Sequence, residues 1–144
     1  MNQAGYSPNE LNFGKEGREK LIRGINKISK AVKSTLGPMG NTVLLESPNH
    51  TRGLTVTKDG VTVAKAISLL DPVENLAVRI MKEAADRTAT AAGDGTTTAI
   101  VLTEAIIKCA MDMIKPEDNQ TEILRELVNA TNLVVEKLKK MSRP

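Results

Sequence analysis

The chain has 144 residues, 40% hydrophobic and 26% charged, as is typical of a globular protein with a single core. Aromatic side chains are nearly absent, so this core must be built from aliphatic residues on closely packed helices. The net charge of +3 comes from basic residues interspersed with acidic ones, which disfavours nucleic-acid binding. One cysteine excludes an internal disulfide, and no stretch resembles a membrane span or a signal peptide, so we expect a cytoplasmic protein without membrane contacts.

The first part of the chain is predicted to form a short strand and then a long helix. Residues 1–9 are polar and expected to be flexible, whereas Glu10 to Phe13 alternate polar and apolar side chains, as in a strand. This strand would need a partner from elsewhere in a longer chain or from another subunit. From Lys15 to Leu36, apolar residues recur at helical spacing (Leu21, Ile25, Ile28 and Val32). Gly37, in a left-handed conformation, and Pro38 are predicted to end this helix.

A β-hairpin is predicted next, from Asn41 to Thr57. Two β-prone runs, 42–45 and 54–57, flank a turn-rich tip at 47–53. His50 lies in this tip without a second metal ligand nearby, so we expect it to be solvated. The following Asp59-Gly60 pair favours, on local sequence, the tight turn of a second hairpin.

Three further helices follow in the second half. Asp71 as N-cap and proline at the next position predict a helix that ends at Gly93. The next helix is predicted to end before Pro116, and the last to run from near Asn119 to Met141. Their predicted apolar faces contain Leu76, Ile80 and Ala84; then Leu102, Ile106, Cys109 and Met113; then Leu124, Leu127, Val128, Val134, Val135 and Leu138. Cys109 is therefore predicted to be a buried, inert thiol.

The stretch from Ala91 to Ala99 combines two glycines, one carboxylate and three hydroxyls between two helices. Its threonines, residues 96–98, fall in the first turn of the second helix, where unpaired N–H groups and the helix dipole favour an anion. Asp94 would repel a phosphate there unless a cation bridged them, which suits a Mg²⁺-nucleotide. Asp59 would then supply a second carboxylate near the nucleotide.

A purely structural interpretation of the same stretch stands beside this hypothesis. Gly-Asp-Gly is a common connection between helices, and Asp or Thr at a helix N-terminus is ordinary capping. The spacing and lysine of a Walker A loop are absent.

Five blocks of the sequence, taken together, resemble the group I, GroEL-like chaperonins. The blocks are Asn12-Phe13-Gly14; Thr35-Leu36-Gly37-Pro38 with Gly40; Thr57-Lys58-Asp59-Gly60-Val61; Ala92-Gly93-Asp94-Gly95-Thr96-Thr97-Thr98-Ala99; and Ser142-Arg143-Pro144. They occur in the family's order, and the likeness covers nearly all of the chain beyond the first few residues.

The resemblance implies a mainly α fold, the helical bundle of the chaperonin equatorial domain with a small β-hairpin arm and a short N-terminal strand. Residues 10–144 would form the N-terminal part of this ATP-binding, ring-forming domain and end at the hinge to an intermediate domain. Gly60 would begin a short helix instead of a second hairpin turn. The hairpin 41–57 and the N-terminal strand would contact identical subunits in a ring.

The resemblance also implies a site for ATP, Mg²⁺ and K⁺. Asp59 would be catalytic, near the γ-phosphate, and Asp94 would ligate Mg²⁺. Backbone oxygens near Thr35 and Lys58 would serve the K⁺ site. The residues implied to bind the cofactors are Thr35, Leu36, Gly37, Pro38, Lys58, Gly60, Asp94, Gly95, Thr96, Thr97 and Thr98.

The implied function is that of an ATP-dependent protein-folding chaperonin subunit. Unfolded proteins and a co-chaperonin would engage the full-length subunit, because the apical domain, the catalytic aspartate of the intermediate domain and the later equatorial half lie outside these residues. We therefore expect negligible ATP hydrolysis by this chain alone. The alternative is a non-catalytic assembly module that binds or poisons chaperonin rings. Met39 replaces a lysine common in the family and is expected to change surface charge only.

Overall fold

The computed structural model describes residues 11–46, 53–115 and 117–142. Within them, five helices accompany one two-stranded hairpin: α1 (Gly14–Lys33), β1 (Val43–Glu46), β2 (Leu54–Thr57), α2 (Gly60–Ala66), α3 (Pro72–Ala92), α4 (Thr96–Met113) and α5 (Gln120–Met141). The mainly α fold with a hairpin is thus confirmed. The chain divides into two compact units, Met1–Lys108 and Cys109–Pro144. Among the described helices, none has the length and apolarity to cross a membrane.

The core of the first unit is aliphatic, as the composition predicts. Its buried members come from four helices: Ile28 and Val32 of α1, Ala64 of α2, Val78, Met81 and Ala85 of α3, and Ile100 of α4. Each large side chain contributes about 1.5–3 kcal/mol when it leaves water. At the α1–α3 crossing, a Cβ on Gly24 would lie 2.2 Å from the carbonyl oxygen of Glu74, so this close approach requires glycine.

The predicted hairpin forms, and its strands are antiparallel. Val43 pairs with Thr57 and Glu46 pairs with Leu54, which fixes the register. Three apolar side chains of these strands are exposed (Leu44, Leu54 and Val56). The tip at 47–52, including His50, lies outside the described residues.

Helix α1 ends at Lys33, three residues before the predicted end. The N–H groups of Thr35 and Leu36 donate to the carbonyls of Val32 and Lys33, at 3.1 Å each. These bonds join residues three apart, as in a 3₁₀ turn, instead of four apart, and so they end the α-helix. Gly37 has the predicted left-handed conformation, with φ of 83°, but it lies inside the following turn.

Two local predictions near the ends of other elements are wrong. No strand includes Leu11 to Phe13, because the described residues offer no partner strand; Phe13 is extended and directly precedes α1. Glu10 and residues 1–9 lie outside the described residues. Asp59-Gly60 does not form a second hairpin turn: α2 begins there, as the family resemblance implied, because the Asp59 carboxylate caps the helix.

The predicted apolar face of α4 is not buried. Leu102, Ile106 and Met113 are exposed, and so is Cys109, which contradicts the prediction of a buried thiol. The helix instead turns Ile100 and Glu104 inward, because helical periodicity identifies an apolar face but not the element that covers it.

Helices α3 and α5 show the same difference between apolar periodicity and burial. In α3, Leu76 and Ile80 are exposed while Ala77 and Val78 are buried. Helix α5, the main element of the second unit, begins after the predicted N-cap Asn119 and ends at Met141, and none of its residues is buried.

Candidate functional site

Three segments singled out by the sequence meet in the first unit. They are the loop after α1, the start of α2 and the start of α4. A Cβ built on Gly60 would lie 2.3 Å from Thr97 Oγ1 and 3.2 Å from Thr35 Oγ1, so the two hydroxyls flank this glycine. The fold therefore brings together residues that are separated by more than sixty positions in the chain.

The loop after α1 is closed by its own backbone. Gly40 N–H donates to the carbonyl of Gly37 at 3.0 Å, and Asn41 N–H donates to that of Ser34 at 2.7 Å. A Cβ on Gly40 would lie 2.2 Å from the carbonyl oxygen of Thr35, so only glycine permits this closure. Of the residues predicted to line a nucleotide, Leu36, Gly37 and Pro38 are exposed, and Thr35 is half-buried.

Asp59 is the N-cap of α2. Its carboxylate accepts hydrogen bonds from the N–H groups of Val61, at 3.2 Å, and Thr62, at 3.0 Å, and from the Thr62 hydroxyl at 2.6 Å. The Thr62 hydroxyl is the main cause that lowers the pKa of Asp59, with the backbone bonds adding to it. Asp59 is therefore an exposed, ionised carboxylate in a fixed orientation next to Lys58 and Gly60.

Lys82 of α3 holds the other end of α2. Its ammonium donates to the carbonyls of Lys65, at 2.8 Å, and Ile67, at 2.6 Å. Lys65 lies in the last turn of α2 and Ile67 directly follows the helix. At this C-terminal end, the helix dipole stabilises a positive charge. Helix α2 is thus held at both ends, which fixes the position of Gly60.

The start of α4 presents unpaired backbone N–H groups. Gly93 and Gly95 have φ of 75° and 90°, and Gly95 N–H donates to Asp94 Oδ1 at 2.6 Å. The first helical bond joins Ala99 N–H to the Gly95 carbonyl at 2.8 Å. The N–H groups of residues 96–98 have no intrahelical acceptor. Thr96 is buried, Thr97 is half-buried, and Thr98 and Asp94 are exposed.

The single carboxylate and the free N–H groups at the start of α4 suit a metal ion that binds as a complex with a phosphate ligand. No cluster of three or more acidic, histidine or cysteine side chains occurs in the part of the chain that the structure describes. Mg²⁺ characteristically uses one or two carboxylates together with substrate phosphates. Asp94 beside the N-terminus of α4 is compatible with this pattern, because a helix N-terminus favours an anion and a carboxylate favours a cation.

Sequence reasoning missed a buried carboxylate next to these segments. Glu104 of α4 has a side chain only 4% exposed, and it forms ion pairs with Lys33 of α1 and, at 2.6 Å, with Lys108. Burial acts to raise the pKa of Glu104, but the hydrogen bond from Lys108 and the contact with Lys33 outweigh it, so the pKa is lowered. The i, i+4 spacing to Lys108 is visible in the sequence, whereas the partner on α1 is not.

A second buried carboxylate joins α1 to α3. Glu74 accepts hydrogen bonds from Lys27 at 2.5 Å and Arg23 at 2.9 Å. The Lys27 bond is the largest cause that lowers the pKa of Glu74, followed by the Arg23 bond. These two ion pairs hold the first turn of α3 against α1.

Comparison with known families identifies the class of protein to which this architecture belongs. Residues 28–144 match the TCP-1/cpn60 chaperonin family. This match covers most of the chain, including the three converging segments. The chain belongs to the TCP-1/cpn60 chaperonin family.

Solved structures agree with this assignment. The chain is similar to the chaperonin gp146 from the bacteriophage EL 2 (Pseudomonas aeruginosa), whose crystals were obtained in the presence of ATP-BeFx. In crystal form II the TM-score is 0.77 at 31% identity, covering 90% of this chain and 22% of gp146. In crystal form I the TM-score is 0.65 at 35% identity, covering 71% and 18%. The chain thus spans about a fifth of the length of that chaperonin.

Proposed function

We propose that this chain supplies part of the Mg²⁺-ATP site of an ATP-dependent protein-folding chaperonin subunit. The observation that carries the proposal is the contact of Gly60 with the hydroxyls of Thr35 and Thr97. This contact brings together the loop after α1, the Asp59 carboxylate that caps α2, and the N-terminus of α4. Membership of a chaperonin family, whose members are ATPases, supports the same assignment.

The phosphates would bind at the start of α4. The backbone N–H groups and hydroxyls of Thr96, Thr97 and Thr98 would donate to phosphate oxygens, and Gly95 leaves room for their approach. Asp94 would ligate Mg²⁺ together with those oxygens. When bound, the metal would neutralise phosphate charge during transfer.

Asp59 would be the catalytic residue of this part of the site. Its three hydrogen bonds within α2 hold the carboxylate ionised and oriented, so it is prepared to position water or metal near the γ-phosphate. The turn from Thr35 to Pro38 would line the nucleotide. Backbone oxygens near Thr35 and Lys58 would serve K⁺.

The hairpin would contact an identical subunit in a ring. Leu44, Leu54 and Val56 of the described strands are 67%, 70% and 63% exposed, and a two-stranded hairpin needs a further partner to be stable. Unfolded proteins, and a co-chaperonin where one is used, would bind the longer subunit.

Calorimetric titration with ATP, with and without Mg²⁺, tests the proposed site on the protein as its source produces it. Asp94→Ala should weaken Mg²⁺-ATP binding by about tenfold or more and should not weaken metal-free ATP binding, because the substitution also removes the repulsion between this carboxylate and the phosphates. Asp112→Ala removes another exposed carboxylate, at the far end of α4, and is the matched control. Equal effects of the two substitutions would refute the assignment of Asp94.

The exposed apolar hairpin also favours a second candidate, a non-catalytic assembly module that binds chaperonin rings. The intact mass of the natural product separates the candidates. A mass well above 15.5 kDa supports the ATPase subunit, whereas a mass of 15.5 kDa together with nucleotide-independent binding to chaperonin rings supports the module. In the latter case we expect negligible ATP hydrolysis by the chain.

A further inference from the structure

An ion pair between a half-exposed lysine and a buried carboxylate connects two of the segments that form the candidate site. Lys33 is the last residue of α1 and lies two positions before Thr35. Glu104 lies about two helical turns beyond Thr97 in α4. The Lys33 ammonium contacts Glu104 Oε2 directly. The pair therefore joins the stem of the loop after α1 to the body of the helix whose N-terminus faces that loop.

We infer that Glu104 is a positioning residue, which acts through Lys33 to hold the loop after α1 against the N-terminus of α4. This inference rests on the proposed function and adds a residue that the sequence motifs do not contain. Glu104 is too far along α4 to reach a phosphate at its first turn, so its role is indirect.

Because Glu104 is buried, its contacts with charged partners are important for stability. A carboxylate whose side chain is only 4% exposed must keep a charged partner, because an unpaired charge in the protein interior is strongly unfavourable. Its two oxygens have different partners, with Lys108 on Oε1 and Lys33 on Oε2. The carboxylate is consequently held between α1 and its own helix.

The two lysines provide a comparison within the structure. Both contact the same carboxylate, and their side chains are similarly exposed, at 43% for Lys33 and 52% for Lys108. Lys108 lies on α4 itself, four residues after Glu104, so its ion pair cannot fix α4 relative to α1. Lys33 crosses between the helices. Loss of Lys33 should disturb the site, and loss of Lys108 should not.

The Lys33–Glu104 ion pair adds to two other contacts that α4 makes. Ile100 of α4 enters the core next to α1, and Thr97 touches Gly60. Ile100 is an apolar contact, which tolerates sliding of one helix along another. An ion pair restricts this sliding, because its strength falls as the distance between its charged atoms grows. Glu104 is thus suited to set the register of α4 against the loop.

The test compares Lys33→Met with Lys108→Met in the protein as its source produces it. We expect Lys33→Met to weaken Mg²⁺-ATP binding by about tenfold and Lys108→Met to change it by less than about twofold. In the double variant Lys33→Met/Glu104→Gln, the affinity should be no lower than in Lys33→Met, because both substitutions remove the same contact. Equal effects of the two lysine substitutions, or additive losses in the double variant, would overturn the inference.

Hydrogen exchange without nucleotide provides a second readout. Lys33→Met should speed the exchange of the Asn41 and Ala99 amides, whose hydrogen bonds close the loop and begin α4, and Lys108→Met should leave both unchanged. Unchanged exchange in Lys33→Met would overturn the inference even if nucleotide binds. A wild-type protein without affinity for Mg²⁺-ATP would instead overturn the proposed function, and the positioning role with it.

Discussion

The contact at Gly60 can be tested by adding one methyl group. In Gly60→Ala, the new Cβ would lie 2.3 Å from Thr97 Oγ1, 3.2 Å from Thr35 Oγ1 and 3.4 Å from Val32 Cγ1. All three neighbours lie within 3.4 Å of the added methyl group, so little space remains around it. Thr97 must shift by about 1 Å, or rotate its hydroxyl out of position, to restore an ordinary contact.

The expected loss of stability is modest because two terms oppose each other. Overpacking of a close contact costs about 1–3 kcal/mol. Alanine is favoured over glycine within a helix by about 1 kcal/mol, and Gly60 is the first residue of α2. The net destabilisation should therefore lie between about 0 and 2 kcal/mol. The effect on Mg²⁺-ATP affinity should be larger, because the displaced hydroxyl belongs to the proposed phosphate site.

Urea unfolding of Gly60→Ala, alone and combined with substitutions of Thr97, isolates the steric term. Thr97→Ala removes the overlapping oxygen, so it should recover about 1 kcal/mol or more of the loss from Gly60→Ala. Thr97→Ser keeps the oxygen and is the matched control, which should recover little. If the free energies of unfolding were additive for Gly60→Ala and Thr97→Ala, the three segments would not meet as described.

Three further predictions concern the packing and charge around the site. Gly24→Ala places a Cβ 2.2 Å from the backbone oxygen of Glu74, which cannot rotate away, so urea unfolding should show a loss of about 3 kcal/mol. Gly40→Ala would push a methyl against the Thr35 carbonyl and should speed amide exchange in the loop after α1, while leaving exchange in α3 unchanged. The pKa of Glu104 is lowered by folding, so its contribution to stability is present above the unfolded pKa of about 4.3 and is lost as pH falls through the folded pKa. Urea midpoints should therefore fall below about pH 4, less steeply in Glu104→Gln, and a midpoint that rises on acidification would contradict this sign.

The sequence predicted best those features that depend on neighbouring residues. Asp71 caps α3 with hydrogen bonds to Val73 and Glu74, and Gly93 ends that helix in the left-handed conformation, both as predicted. The hairpin forms because each of its two runs has β-prone residues and the runs are close together in the chain. A cap or turn is determined by a few adjacent side chains, and so a single sequence contains the necessary information.

Features that depend on distant partners could not be predicted in this way. Asp59-Gly60 has the sequence of a hairpin turn, yet the contact of Gly60 with Thr97 and the capping by Asp59 favour a helix start. The periodic apolar face of α4 predicted burial for Cys109, which is exposed. The Lys33–Glu104 pair spans more than seventy residues, so no local pattern indicates it.

The candidate site is consequently a product of helix packing as much as of its motifs. Helix α2 has only seven residues, and a helix of this length has little stability of its own. It is held by its Asp59 cap, by the Lys82 ammonium at its last carbonyls, and by Val63 and Ala64 in buried positions. Because Gly60 occupies the first position of this short helix, its distance from Thr97 reports on all of these contacts together. Loosening any of these contacts should therefore move Asp59 away from the proposed phosphate-binding threonines, residues 96–98, before it unfolds the unit.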